Sequence, residues 1–251
     1  MMRALSLALL LLTRFPVPVN FTPQSRDWGR SVCFFPVVGL LIGATMAGCY
    51  LAFSSLAIVV VDAELAAVLL LIIWVLITGG LHLDGLADLT DAWIGGVGNR
   101  EKTLAIMKDP YSGPMGVTAL VLTLLAKFVA LKVAVAQTAL EIVLWVPVIG
   151  RTAMVLLLMT TPYVRPAGVG IDHARYLPQV ICRCLLLSVL MITLWLFAWD
   201  GIFLLCLLGA GFIYLRRRLM DRLGGTTGDV LGATCELTEA VALLSLAILL
   251  D

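Results

Sequence analysis

Three aspartates stand at i, i+4 and i+7 in the stretch from Thr78 to Ala92, where Gly79-Gly80-Leu81-His82-Leu83-Asp84-Gly85-Leu86-Ala87-Asp88 leads to Asp91. On a helix, that spacing lines Asp84, Asp88 and Asp91 along one face. Stacked and unpaired, they repel. A helix tolerates such a row when cations or a metal offset it, and oxygen-only donors point to Mg2+ or Mn2+ over zinc. The plainer alternative is a solvated helix end, but the adjacent glycines and His82 are more than a solvated face needs.

A second constellation follows Arg218. It runs Gly224-Gly225-Thr226-Thr227-Gly228-Asp229, then Gly232, Glu236 and Glu239. A glycine-rich turn entering a helix offers free backbone N–H groups to phosphate oxygens. Asp229 is expected to cap that helix, with Glu236 seven residues on along the same face and Glu239 continuing it inside an apolar run. Ionisable groups there are costly and point to function. A third segment, Ile106 to Gly116, joins a cation and a carboxylate, Lys108 and Asp109, to Gly113 and two prolines; an ordinary connecting loop explains it equally well. Lys127 and Arg151 lie within apolar runs and need partners, either a substrate phosphate or the carboxylates above. Lys132 is expected to snorkel, and His173 to sit at the surface. Gly39 and Gly43 make a small-xxx-small pattern suited to close helix packing.

The elements that must hold these residues are set by composition. At 61% apolar, 13% charged and a mean hydropathy of +1.07 over 251 residues, the chain belongs in lipid. The apolar runs lack period-2 alternation, which predicts an all-α, polytopic membrane bundle forming a single domain over 1–251. Spans are expected near 32–60, 65–83, 117–136, 140–161, 184–199, 202–215 and 230–250, about seven in all, with a tight hairpin at Asp200-Gly201. The stretch Met1 to Leu12 is followed by Arg14-Phe15-Pro16 and by no small-residue cleavage site, so a retained interfacial or re-entrant helix is expected. The six cysteines show no metal-ligand spacing and read as packing residues.

Lysines and arginines fall on one set of connections, at Arg3 to Arg30, Arg100 to Lys108, Arg165 to Arg183 and Arg216 to Arg222. The opposite connections, around Val61 to Glu64, Gln137 to Leu140 and Asp200-Gly201, have none. The positive-inside rule assigns the N-terminus and the three longer loops to the cytoplasm, with the C-terminus outside. A net charge of +1 gives no electrostatic case for nucleic acid.

These motifs, in this order and spacing, resemble the cobalamin synthase family, the adenosylcobinamide-GDP ribazoletransferases. The likeness extends to Thr13-Arg14-Phe15-Pro16-Val17-Pro18 and to Phe35-Pro36-Val37-Val38-Gly39-Leu40, so it covers nearly the whole chain. Pro110-Tyr111 and Pro114 make the third motif stiffer than the family pattern. The resemblance implies transfer of the adenosylcobinamide phosphoryl group from its GDP-activated form to the ribose of α-ribazole or its 5′-phosphate, with release of GMP. It also implies a need for Mg2+ and residence in a bacterial inner membrane.

On that reading Asp84, Asp88 and Asp91 bind Mg2+, and Asp229 and Glu236 complete that site or a second one. His82 or one of the carboxylates takes the proton of the attacking hydroxyl. Lys108, Lys127 and Arg151 hold phosphates; Asp109, Gly113, Gly225, Thr227, Gly228 and Glu239 complete the substrate site. A homo-oligomer and a complex with other cobalamin-assembly enzymes are further expectations. Two rivals remain. A CDP-alcohol phosphotransferase also gathers aspartates on membrane helices, but its motif needs Ala-Arg after Asp-Gly, where this chain has Leu86-Ala87-Asp88. A cation-coupled transporter would carry its acids nearer the midplane.

Overall fold

In hydrocarbon, an unpaired backbone N–H or C=O costs several kcal/mol, so each long apolar stretch closes its hydrogen bonds internally as a helix. A computed structural model describes residues 1–55 and 62–250, and among them helices account for all regular structure. The end of the 32–60 span and the first residue of the Val61 connection lie outside the described residues.

The order is α1 (Met2–Leu12), α2 (Ser25–Ser31), which passes through one 3-10 turn into α3 (Phe35–Ser55), α4 (Ala63–Thr78), α5 (Leu81–Gly95), α6 (Arg100–Ile106) and α7 (Pro114–Ala136). Then come α8 (Leu140–Thr160), α9 (Val169–Arg175), α10 (Gln179–Leu223) and α11 (Gly228–Leu249).

Five of these helices, α3 with its α2 extension, α7, α8, α10 and α11, are each long and apolar enough to cross a membrane. A sixth candidate is α4 with α5. Ala198, at φ 47° and ψ −118°, breaks α10. The chain doubles back there: a Cβ on Gly201 would stand 2.9 Å from the Thr193 carbonyl oxygen. Leu190 and Thr193 also face Leu205 and Leu208 across one apolar cavity. The arms 179–197 and 199–223 are therefore two passes. The expected hairpin is present, its turn two residues before Asp200. Trp195 and Trp199 flank the turn and are exposed, as suits side chains at a membrane–water boundary.

The core lies along α8 and α11, the most enclosed of the spans, while α10 forms the outer, lipid-facing side. Gly39 sits against the Pro147 backbone and Gly43 against that of Leu144, so α3 and α8 approach at backbone distance through the expected small-residue pair. α1 is too short to span; it buries Ala4, Leu7, Ala8 and Leu12 against α2 and α3. Its end is tied to the end of α4 by the Arg14 N–H, which donates to the Ile77 carbonyl at 2.7 Å.

The turn from α4 into α5 positions the site. Gly79 and Gly80 both take left-handed backbone, φ 63° and 71°, which other residues adopt at a cost. They bend the chain by 87° between α4 and α5, and α5 packs against α11, α7 and α6.

His173 departs from expectation. Its place in a polar loop suggested the surface, yet it is 3% exposed, with its ring edge-on to Trp28 and Phe35 and Nε2 3.3 Å from Ser31 Oγ. It lies on α9, and α2 closes over it. Burial lowers its pKa to about 4, against a smaller opposing effect of Asp172. The unfolded chain therefore binds more protons than the folded one between about pH 6.5 and 4, and the stability that neutral His173 supplies above that window is lost as pH falls through it. Thermal unfolding from pH 7 to 4 is expected to show a steeper loss in wild type than in His173→Gln, the difference approaching ~3 kcal/mol. Parallel pH profiles would contradict this.

Candidate active site

α5 and α11 cross in contact because both carry glycine at the crossing. A Cβ on Gly85 would lie 2.7 Å from the Asp229 carbonyl oxygen, and one on Gly232 3.1 Å from His82 Cα. That contact brings Asp84 and Asp88, one turn apart on α5, to the first turn of α11, where Asp229 stands. Asp84 is exposed; Asp88 and Asp229 are half-buried. Asp88 stands among the negative charges of Asp84 and Asp229, with Arg165 as the opposing charge. One guanidinium thus answers a mouth of three carboxylates.

Arg165 Nη2 donates to Asp229 Oδ2 at 2.5 Å and to the Met107 carbonyl at 3.3 Å. It is held there by a short bridge between loops: the Thr226 N–H donates to the Pro162 carbonyl at 2.8 Å and the Val164 N–H to the Thr226 carbonyl at 2.9 Å. Gly225 lies against Pro162 and leaves no room for a side chain. Sequence reasoning counted Arg165 only as a charge marking one face. The signal present was a lone arginine between Pro162 and Pro166, directly after a span.

The cap of α11 is Thr227, not Asp229. Thr227 Oγ1 accepts from the Val230 N–H at 3.3 Å, while Asp229 is two residues further along, in the first turn beside exposed Gly228. A hydroxyl one residue before the helix satisfies an orphan N–H, which frees the Asp229 carboxylate for the mouth.

Asp91 shares the helical face of Asp84 and Asp88, but its oxygens accept from the Gly113 N–H at 2.6 Å and the Gly116 N–H at 2.9 Å. A carboxylate there satisfies unpaired donors at the start of α7 and suits the positive end of its dipole. In the same loop Asp109 accepts from the Tyr111 N–H at 3.1 Å, forming a turn, and Lys108 is exposed.

Glu236 and Glu239 stand apart from the mouth, Glu236 about 10 Å further along α11 than Asp229. Lys127 Nζ donates to both glutamates at 2.6 Å and lies 4.2 Å over the Trp74 ring; Arg151 pairs with the other oxygen of Glu239. Arg151 Nη2 is 3.4 Å from His82 Nδ1. All six residues are at most 4% exposed. Two cations meet two carboxylates, so the cluster balances itself. Of the two partners expected for Lys127 and Arg151, the carboxylates are the ones the structure brings together.

Among the described residues, no three histidine, cysteine or acidic side chains are grouped so that they could hold a metal ion as they stand. The donor set at the mouth is nonetheless all-oxygen and excess-anionic, the chemistry a hard divalent cation takes.

Residues 4–247 match the family model described as cobalamin-5-phosphate synthase. The chain belongs to this family. Among its relatives, the adenosylcobinamide-GDP ribazoletransferase of Pseudomonas putida (strain W619) is 47% identical over 242 residues, covering 96% of this chain and 97% of the relative. Those of Pseudomonas syringae pv. syringae (strain B728a) and Pseudomonas aeruginosa (strain UCBPP-PA14) are each 44% identical, over 243 and 264 residues, and cover 97% and 98% of this chain and 98% of each relative. No solved structure matches this cobalamin-5-phosphate synthase family member.

Proposed function

We propose that this chain joins adenosylcobinamide-GDP to α-ribazole, or to α-ribazole 5′-phosphate, giving adenosylcobalamin or its 5′-phosphate and GMP. The observation that carries the reading is the mouth at the α5–α11 crossing, where Asp84, Asp88 and Asp229 converge against a single guanidinium. Near-full-length likeness to transferases of that name supports it.

Asp84, Asp88 and Asp229 would hold Mg2+. Bound there, it would neutralise diphosphate oxygens as charge builds on them, which is most of what phosphoryl transfer asks of a protein. The ribose hydroxyl oxygen of the acceptor bonds to the corrinoid-side phosphorus, the P–O bond to GMP breaks, and the hydroxyl proton passes to a carboxylate of the mouth. On this reading a carboxylate is that base in place of His82, whose Nδ1 stands 3.4 Å from Arg151 Nη2. A guanidinium only donates, so Nδ1 of His82 accepts from Arg151 and the imidazole proton sits on Nε2. Arg165 orients Asp229, and exposed Lys108 offers a charge to substrate phosphates. Lys127, Arg151, Glu236 and Glu239 hold α7, α8 and α11 in place beneath the mouth.

The protein is read as a multi-pass resident of the bacterial cytoplasmic membrane with this mouth facing the cytoplasm. The one-sided lysines and arginines support that reading, and nucleotide substrates are found on that side. Assembly with copies of itself or with other cobalamin-assembly enzymes is testable by crosslinking.

Purified protein in liposomes, given adenosylcobinamide-GDP, α-ribazole and Mg2+, is expected to release GMP in step with product. Chelation should stop both and re-addition of Mg2+ restore them. Turnover undiminished by chelation would remove the metal from the account; no product, with substrate flux across the bilayer, would overturn the transferase reading.

A further inference from the structure

Beside the mouth lies a cavity of about 170 Å³ that the transfer itself does not explain. It opens between α1, the start of α3, α5, α8, α9 and the first turn of α11. Most of its wall is apolar, with Leu12, Phe35, Leu81, Met154, Val169 and Leu231, and Asp84 and Asp229 line it on the side of the mouth. His82 also lines it. That side chain is 2% exposed, and its Nε2 has no hydrogen-bond partner among the described residues. A buried donor without an acceptor costs about 1–3 kcal/mol, so an acceptor brought to His82 Nε2 would be stabilised.

Size and lining restrict the occupant. Pockets that take drug-sized ligands run to roughly 300–1,000 Å³, whereas an apolar cavity of about 150 Å³ takes a benzene ring. A corrin does not fit, nor does a whole guanosine diphosphate. A guanine base would also fit by size, but its amide and amino groups would have only Asp84, Asp229, His82, Tyr163 and His173 to meet in a wall that is otherwise apolar. An uncharged aromatic base with few polar atoms suits the wall, and a ribose attached to it would reach toward the carboxylates.

We propose that this cavity seats the aromatic base of the nucleoside acceptor, and that His82 Nε2–H donates to an acceptor atom of that nucleoside, setting its ribose beside Asp84 and Asp229. The inference rests on the transferase reading for the identity of the nucleoside. The binding site itself rests on the cavity and the unanswered donor. The site selects the acceptor and leaves the corrinoid donor to surfaces elsewhere on the mouth.

Equilibrium dialysis of α-ribazole against reconstituted full-length protein, with no corrinoid present, tests it. Wild type is expected to bind saturably. Val169→Trp, which fills the cavity from the α9 side, should weaken binding about tenfold or more, and His82→Asn should weaken it by a similar factor. In turnover the KM for α-ribazole should rise by the same factors, while the KM for adenosylcobinamide-GDP stays within about twofold. A merely structural role for either residue would move both KM values or the amount of folded protein. Absent wild-type binding, or unchanged α-ribazole affinity in folded Val169→Trp, overturns the proposal. Saturable, Val169-dependent binding by a protein that forms no product would uphold the cavity and sink the transferase reading instead.

Discussion

Replacing Asp88 or Asp229 by asparagine is expected to lower turnover roughly a thousandfold while leaving membrane insertion and thermal stability close to wild type. Asparagine keeps the size of the side chain and removes its charge. Positioned charge at a transferring phosphoryl group supplies several kcal/mol, and each 1.4 kcal/mol is a factor of ten. Asp88 is half-buried on α5 and Asp229 enters from α11, so neither carboxylate substitutes for the other. Relief of repulsion should keep the variants folded, since each mutation removes one of three like charges at the mouth. Near-normal turnover in purified Asp88→Asn protein would remove that residue from the site.

Glu239→Gln should act in the opposite way, through stability. Glu239 is fully buried and answers both Lys127 and Arg151. Neutralising it leaves two buried cations facing Glu236 alone, and breaking one partner out of a buried ion cluster costs about 3–5 kcal/mol. At ~2–4 °C per kcal/mol for a chain of this size, the unfolding midpoint in detergent should fall by roughly 10 °C. Adding Arg151→Met restores the balance of charge, so the double variant should be more stable than the sum of the two single losses predicts. A Glu239→Gln protein that melts with wild type would show the cluster to be unimportant to the bundle.

Features carried by local spacing were legible before any coordinates. Helical passes follow from apolar length, the hairpin from Asp200-Gly201, close packing of α3 on α8 from Gly39 and Gly43, and the shared face of Asp84 and Asp88 from their separation of four. Features decided by a distant partner were not. Asp91 has the right spacing for the mouth, yet Gly113 and Gly116, 22 and 25 residues away, take its oxygens. Asp229 looked like a cap because it opens a helix, but Thr227, two residues before it, stands at the boundary with a suitable hydroxyl. Glu236 shares a helical face with Asp229, but seven residues of rise carry it down to Lys127 and out of reach of the mouth. His173 is polar, sits on the short helix α9 between polar residues and is buried because α2 packs against α9, which local sequence does not encode. Arg165 finds Asp229 through the bridge between Pro162, Val164 and Thr226, loops separated by two membrane passes.

The most direct test of the account is binding of Mn2+, as a stand-in for Mg2+, to the reconstituted protein by electron paramagnetic resonance, without substrates or turnover. Saturable binding is predicted in wild type, lost or weakened at least about tenfold in Asp88→Asn and in Asp229→Asn, each of which removes an anionic oxygen donor. Binding that survives unchanged in both folded variants would contradict the claim that the α5–α11 mouth holds the metal.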